Sequence, residues 1–442
     1  MPYNTSIRDA AERLGISVQA VHKRIANGKL RAQKVNKHWL VSDESLAENE
    51  AAPFKPGRPS KGEAFLLMNG TYPVMEFSYD GQQRSFIPRN VIDPSRAPIG
   101  TVTRSGKGSA SGLAQWWQHR SIPSGRSGID AKLAELGLDD PSSIPFRNLG
   151  FSLSDQYWIQ PAGEHLEWSD LNYFENDFGN VGERWDDWLS QVGLSSPDNT
   201  SEGALPKKWV CEGSCRTLLK GHVPWTDQQV YNEVVASALH RRVLEPREFV
   251  TYEARTVEGL GVVAACPCFV RPGEEYVPAS LVYDTEGARR GENVYDALIR
   301  HASNLGIARD DATLAMSKMI VCDGMLANTD RHLRNFGFIR NINTLEWRFA
   351  PLFDSGNSLW YDKDEGQVAS GDYSFTSRPF EASPNRQLML AAKGSWFELG
   401  FLDGFEDEAA EILENGNLSR WRVDYLKEGI RKRIEALRVI WG

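Results

Sequence analysis

Asp330, Asn335 and Asp354 are the residues whose types and spacing could do chemistry together. The first two lie in Asn328-Thr329-Asp330-Arg331-His332-Leu333-Arg334-Asn335-Phe336-Gly337, the third closes Phe349-Ala350-Pro351-Leu352-Phe353-Asp354. A carboxylate, an amide and a later carboxylate suit metal-assisted phosphoryl transfer. One carboxylate orients or deprotonates the attacking hydroxyl, while the amide oxygen and the second carboxylate hold Mg²⁺ against nucleotide phosphates. Phe336–Ile339 and Leu345–Phe349 read as two strands around the turn Arg340-Asn341-Ile342-Asn343, a hairpin that would return Asn335 and Asp354 to one place. A D-x-x-x-x-N string alone is common; the hairpin and the P-L-F-D behind it narrow the reading. Asp323 competes for the catalytic role. It follows directly on Leu314–Val321, which reads as helix, and is taken as a structural residue.

Such a site needs elements that hold the nucleotide, and the chain supplies candidates in order. Residues 195–209 form a small-residue turn leading into a strand, and Gly203 and Ala204 could offer backbone N–H groups to phosphates. The turn matches neither G-x-x-x-x-G-K-[ST] nor G-x-G-x-x-G. Arg216–Lys220 is strand-like and ends in Lys220, and Asp227–Val243 places Val230, Val234 and Ala238 at the four-residue spacing of an amphipathic helix carrying Glu233. A strand lysine paired with a helix glutamate holds α/β-phosphates in kinases. Arg247–Ala254 and Gly261–Val270 read as a strand pair, the second leading through Cys268 into a hinge whose backbone would meet adenine. Cys266 with Cys268, and Cys211 with Cys215, lack the paired spacing of a zinc site.

Taken together these segments resemble the HipA-like kinases, bacterial serine/threonine kinases with a fold related to the phosphatidylinositol kinases. Asn328–Asn335 matches their N-x-D-x-H-x-x-N and Pro351–Asp354 their P-x-x-D. The resemblance implies that Asp330 is the catalytic base, with His332 bracing the same catalytic loop. It makes Asn335 and Asp354 metal ligands and puts ATP and Mg²⁺ between two lobes. It extends to Ser154-Asp155-Gln156-Tyr157-Trp158 and to Asn172–Phe178, aromatic-rich motifs read as lobe packing. It also implies autophosphorylation of the nucleotide loop at Thr200 or Ser201, where a dianionic phosphate would compete for the same N–H groups. The loop departs from the S-x-x-G-x-x-x-K form by opening with Thr200, which leaves both hydroxyls open.

A second signal opens the chain. Thr5–Leu14 reads as a capped helix, Gly15-Ile16-Ser17 as a turn, and Val18–Ala26 as a helix stopped by Asn27-Gly28. Leu30–Val41 then alternates like a hairpin wing around Val35-Asn36-Lys37-His38. The unit resembles the excisionase and MerR-type winged helix-turn-helix. That resemblance places Ser17, Gln19, His22 and Lys23 toward the major groove and Arg31, Lys34 and Lys37 on phosphates. Residues 1–48 carry eight Lys/Arg against five Asp/Glu, a balance of +3 in a chain of net −9, which leaves −12 on the remainder. A basic head on an acidic body suits a DNA-contacting module attached to an enzyme. A head with so few cations should bind DNA weakly alone, so dimerisation or a partner is expected.

Length and composition fit this plan. The 442 residues are 41% hydrophobic and 25% charged, enough for a small head and a two-lobed body. The expected fold is α+β: a winged helix-turn-helix over residues 1–47, a Pro/Gly/Lys-rich linker over 48–62, and a kinase-like body. The body comprises a β-rich N-lobe over 63–270, with a β-meander at 64–88, and a helical C-lobe over 271–442 ending in the helix Trp421–Trp441. Within the linker Lys55–Lys61 faintly resembles an AT-hook, but a flexible basic tether is the better reading. Five cysteines suit reduced thiols, and no signal peptide or membrane-length apolar run is present, so a cytoplasmic protein is expected, with no membrane partner. By resemblance, the chain is an ATP- and Mg²⁺-dependent protein kinase acting on a protein substrate. It would be the toxin of a toxin–antitoxin pair, with an antitoxin or homodimer partner and an autoregulatory DNA-binding head. Two alternatives stand beside it: a DNA-binding regulator with an inactive kinase body, and a lipid or small-molecule phosphotransferase.

Overall fold

The computed structural model describes residues 3–14, 18–35, 38–51, 63–121, 133–134, 138–178, 197 and 205–441. The chain divides into two compact units, one formed mainly by residues 1–182 and the other mainly by residues 217–442 with 205–208.

The first unit opens with the helix-turn-helix. Strand β1 (Tyr3–Ser6) leads into helix Ile7–Leu14, where Ser6 Oγ accepts the Asp9 N–H at 3.2 Å as an N-terminal cap. Helix Val18–Ala26 follows, then the wing strands β2 (Ala32–Val35) and β3 (His38–Ser42). The sheet runs β1-β3-β2, so the expected two-stranded wing gains β1 as a third strand. A third helix, Asp43–Ala51, occupies the start of the expected linker and carries Leu46 into a core with Ala10, Val21, Leu30 and Val41. Most of the linker lies outside the described residues.

Farther along, β4 (Glu63–Asn69), β5 (Tyr72–Asp80) and β6 (Ser85–Val91) form the expected meander, and β7 (Tyr157–Pro161) joins it in the order β6-β5-β4-β7. Rings fill its core: Phe146 packs tilted against Tyr79 and Trp117, with centroids 4.4 and 4.3 Å away. The two aromatic motifs are structural here. Asp155 pairs with the buried Arg120, and Trp158 Nε1 donates to Gly70 O at 2.8 Å. Arg216 reaches back to the carbonyls of Tyr173 and Asn176 at 2.9 and 3.1 Å.

Another four-stranded sheet runs in the order β10-β11-β9-β8, built from β8 (Lys207–Glu212), β9 (Cys215–Lys220), β10 (Glu253–Val257) and β11 (Gly261–Pro267). The β10 strand is displaced from its expected start at Arg247. Pro246 instead opens a 3₁₀ turn closed by a Glu245/Glu248 capping box, and Phe249 bridges Leu352. The helix Gln228–Val243 is not amphipathic: thirteen of its sixteen residues are buried, because β11 and the helices Phe405–Leu413 and Arg309–Leu326 all pack on it. Its buried polar residues therefore need partners. The hairpin β13 (Gly337–Asn341) and β14 (Trp347–Phe349) pairs Phe338 with Phe349, and β12 (Glu274–Pro278) adds a strand the sequence reading did not anticipate. Gly337 is required there, since a Cβ would stand 2.2 Å from Val277 O. The final helix spans Arg420–Trp441.

Candidate active site

Lys220 ends β9, paired with Ala264 of β11, and points into the interior of the second unit. Its Nζ donates to Glu233 Oε1 at 2.5 Å and to Asp354 Oδ1 at 2.6 Å, so one ammonium joins strand, helix and the segment after β14. Burial works against the Lys220 charge, but Asp354 and Glu233 outweigh it and hold its pKa above the usual lysine range. Burial likewise opposes the Asp354 carboxylate, and Lys220, Lys207 and Arg331 overcome that and hold its pKa below the ordinary value. Asp354 takes a left-handed backbone, φ 59°, uncommon for a residue with a Cβ. Two contacts fix it there: the Asp354 N–H donates to Tyr252 Oη at 3.3 Å, and the next N–H, of Ser355, donates to Glu233 Oε2 at 2.9 Å. Lys220 Nζ also lies 5.4 Å from the Tyr252 ring centroid. Behind them, burial pushes the Cys266 thiol up to about 12, so it is a packed apolar group and not a nucleophile.

The loop bearing Asp330 is folded around a buried arginine. Helix Arg309–Leu326 ends at Ala327, φ 49°, which turns the chain into Asn328. Arg331, fully buried, donates Nε and Nη2 to Asp323 Oδ2 and Oδ1 at 2.9 and 3.0 Å. Its Nη1 reaches the carbonyls of Asn335 and Phe353, both at 2.6 Å. One guanidinium thus ties the residue preceding Asp354 to Asn335, and Asp323 is the counter-charge that makes this tolerable in the interior. Asn328 completes the frame, donating Nδ2 to Asp323 at 2.8 Å and accepting the Asp330 N–H at 2.9 Å. Asn335 Nδ2 donates to Asp330 O at 3.0 Å, which leaves its amide oxygen as the free atom. His332 Nε2 stands 4.0 Å from Asp330 Oδ1, and its Nδ1 accepts the Arg334 N–H at 3.3 Å.

Lys220, Glu233, Asp330, His332, Asn335 and Asp354 are thus brought together within one unit. Cys268 lies just past β11, its Sγ facing Val270 O at 3.3 Å. Gly203, Ala204, Thr200 and Ser201 fall outside the described residues, as do Ser17, Lys37 and the side chains of Gln19 and Lys23. His22 and Lys34 are exposed, and Arg31 is half-exposed with Nη2 3.7 Å from Glu44. Sequence reasoning missed Gln228, Gln229 and Asn232, which bind the stretch after Asp354. Gln228 Nε2 donates to Leu359 O at 2.8 Å, Gln229 Nε2 to Asn357 Oδ1 at 2.6 Å, and Asn232 Nδ2 to the carbonyls of Gly356 and Ser358 at 2.9 and 2.7 Å. The signal was present: positions 228, 229, 232 and 233 form one polar stripe at helical spacing.

The donor set suits magnesium. Asn335 offers an amide oxygen and Asp354 a carboxylate, hard oxygen donors of the kind Mg²⁺ takes alongside substrate phosphates. Among the described residues no cluster of three or more His, Cys, Asp or Glu could hold a metal ion by itself.

Residues 278–414, which contain Asp330, Asn335 and Asp354, match the HipA-like C-terminal domain. The chain carries a HipA-like C-terminal domain. Residues 6–50 match a helix-turn-helix domain. The serine/threonine-protein kinase CtkA of Helicobacter pylori is 45% identical over 108 residues, 24% of this chain. The alignment spans only 33% of that relative's own length. The crystal structure of the proinflammatory kinase CtkA superposes with a TM-score of 0.43 at 18% identity, covering 54% of this chain and 92% of that one. Shewanella oneidensis HipA, solved with HipB and its operator DNA, gives a TM-score of 0.50 at 14% identity, covering 84% of this chain and 96% of that one. The second likeness is one of fold, and it extends well beyond the matched HipA-like domain. Lys220 and Glu233 lie outside that domain match and are placed by the geometry alone.

Proposed function

We propose that this chain is an ATP- and Mg²⁺-dependent protein serine/threonine kinase. The observation that carries the reading is the convergence of Lys220, Glu233 and Asp354 beside a loop that presents Asp330 and Asn335. Asp330 accepts the proton of the substrate hydroxyl as phosphate is transferred to it. Lys220, held by Glu233, meets the α/β-phosphates, and Asn335 and Asp354 are the residues that would hold Mg²⁺. Bound Mg²⁺ would neutralise charge on the phosphate oxygens. Arg331 keeps Asn335 and the Asp354 segment in register before any ligand arrives, which lowers the cost of ordering the site.

The helix-turn-helix head is proposed to bind DNA, with Lys34 and Arg31 on phosphates and His22 on the recognition helix. The printed partners of the Shewanella protein, HipB and operator DNA, motivate an autoregulated toxin role with an antitoxin partner here. Residues 1–47, 48–62, 63–270 and 271–442 are the corresponding proposed divisions. No helix among the described residues is long and apolar enough to cross a membrane. None of the five cysteines is in a disulfide, which favours a reducing, cytoplasmic setting. Calorimetric titration with ATP tests the kinase reading. Binding should require Mg²⁺ and weaken strongly in Asn335→Ala and Asp354→Asn. Metal-independent binding of equal strength in all three proteins would overturn the assignment.

A further inference from the structure

Asn357 lies in the short polar run Asp354-Ser355-Gly356-Asn357-Ser358. Its Nδ2 donates to Asp330 Oδ2 at 2.8 Å, and its Oδ1 accepts from Gln229 Nε2 at 2.6 Å. Gln229 Oε1 in turn accepts the Val223 N–H at 2.9 Å. The polarity of this chain of bonds is determined from one end. A backbone N–H can only donate, so Gln229 must turn its oxygen to Val223 and its amide nitrogen to Asn357. Asn357 must then accept with Oδ1, and the atom left facing the carboxylate is its donor. The Asn357 main chain is anchored as well: its carbonyl accepts from both the N–H and the hydroxyl of Thr329, each at 3.1 Å, immediately before Asp330.

We infer that Asn357 is a positioning residue for Asp330 and that Gln229 sets its polarity. The inference rests on the reading of Asp330 as the acceptor of the substrate proton. Asn357 occupies Oδ2 and leaves Oδ1 as the oxygen for the hydroxyl. Gln229 sits on the same helix as Glu233, four residues earlier. Helix Gln228–Val243 therefore fixes both ends of the site, the phosphate-binding lysine through Glu233 and the catalytic carboxylate through Gln229 and Asn357. Helix and catalytic loop form one body, and a displacement of the helix would misalign Asp330 and Lys220 together.

The test is the steady-state rate of phosphate transfer from labelled ATP–Mg²⁺ by the full chain, with kcat and the KM for ATP measured separately. Asn357→Ala should lower kcat roughly 10- to 100-fold, the scale of a small misplacement of a reacting group, and leave the KM for ATP unchanged. Gln229→Glu and Gln229→Ala give the sharper comparison. Glutamate keeps the size and the bond to Val223 N–H but presents only acceptors, so Asn357 turns its nitrogen to residue 229 and its oxygen to Asp330. Gln229→Glu should therefore be slower than Gln229→Ala. A purely structural role gives the opposite order, because glutamate preserves the packing. Should Asn357→Ala fail to fold, the two Gln229 variants decide the matter. Wild-type kcat in Asn357→Ala, or Gln229→Glu faster than Gln229→Ala, would overturn the relay while a silent Asp330→Ala upheld the catalytic reading. No transfer by the wild-type chain would overturn both.

Discussion

Asp323→Asn removes one charge from a deeply buried ion pair, and its cost follows from the geometry. The Asp323 carboxylate takes two bonds from Arg331 at 2.9 and 3.0 Å, with side-chain exposures of 5% and 0%. Burial alone would lower the Arg331 pKa; Asp323, with smaller help from Asp354 and Glu233, more than reverses this and raises it above the ordinary value. Asparagine is nearly the same size but turns a neutral amide to the guanidinium, so the buried cation loses its directly paired carboxylate. Breaking such a pair from one side costs about 3–5 kcal/mol. For a unit of this size that corresponds to a fall in midpoint of roughly 6–20 °C. Differential scanning calorimetry of the wild type, Asp323→Asn, Arg331→Met and the double variant would measure it. The double variant should be less destabilised than the sum of the singles, because most of each single loss is the stranded partner. Asp323→Asn within 1 kcal/mol of wild type, judged against the ~3 kcal/mol minimum for a stranded charge, would refute the reasoning.

Three further outcomes follow from the same contacts. Lys220→Met leaves Glu233 and Asp354 facing each other. Its thermal midpoint should fall and ATP–Mg²⁺ should no longer raise it, whereas adding Glu233→Gln should recover stability without recovering the nucleotide response. His240 is buried with neither ring nitrogen bonded, and burial, with Arg331 and Arg241, holds its pKa down to about 3. The unfolded chain takes up this proton below pH 6.5 and the folded chain does not, so stability should fall as pH drops from 6.5 toward 3 by roughly 1.4 kcal/mol per unit from this residue. His240→Phe should flatten that part of a urea-denaturation profile measured against pH. Lys34→Ala in the wing should weaken binding of any duplex equally and reduce the salt slope of log K by about 1, read by fluorescence anisotropy across a salt series.

Local signals carried much of the fold. The Phe336–Phe349 hairpin, the helix after Lys220 and the head's two helices all stand where side-chain periodicity and turn residues place them. Long-range pairing was less legible. β12 pairs with β13 across some sixty residues, and nothing in Glu274–Pro278 announces its partner. The helix Gln228–Val243 misled in a specific way. Its Val230, Val234 and Ala238 suggested a single apolar face, yet Val234 is only partly buried while Gln228 and Asn232 are fully buried. Buried amides look like surface residues in a sequence, because the carbonyls of residues 356–359 that satisfy them lie more than 120 positions away. Within the site, the residue types in N-T-D-R-H-L-R-N and P-L-F-D could be weighed directly. The frame that orients them, Arg331 on Asp323 and Asn357 on Gln229, became visible only with coordinates.

Asp330 is proposed to stand in a working phosphoryl-transfer site, and transfer itself tests this most directly. Purified chain would be incubated with γ-labelled ATP and Mg²⁺ beside Asp330→Ala, with a serine- and threonine-containing protein as acceptor and the modified residues located by mass spectrometry. Label on serine or threonine is expected with the wild type and none with Asp330→Ala. Label of equal amount with both proteins, or none with either, would contradict it.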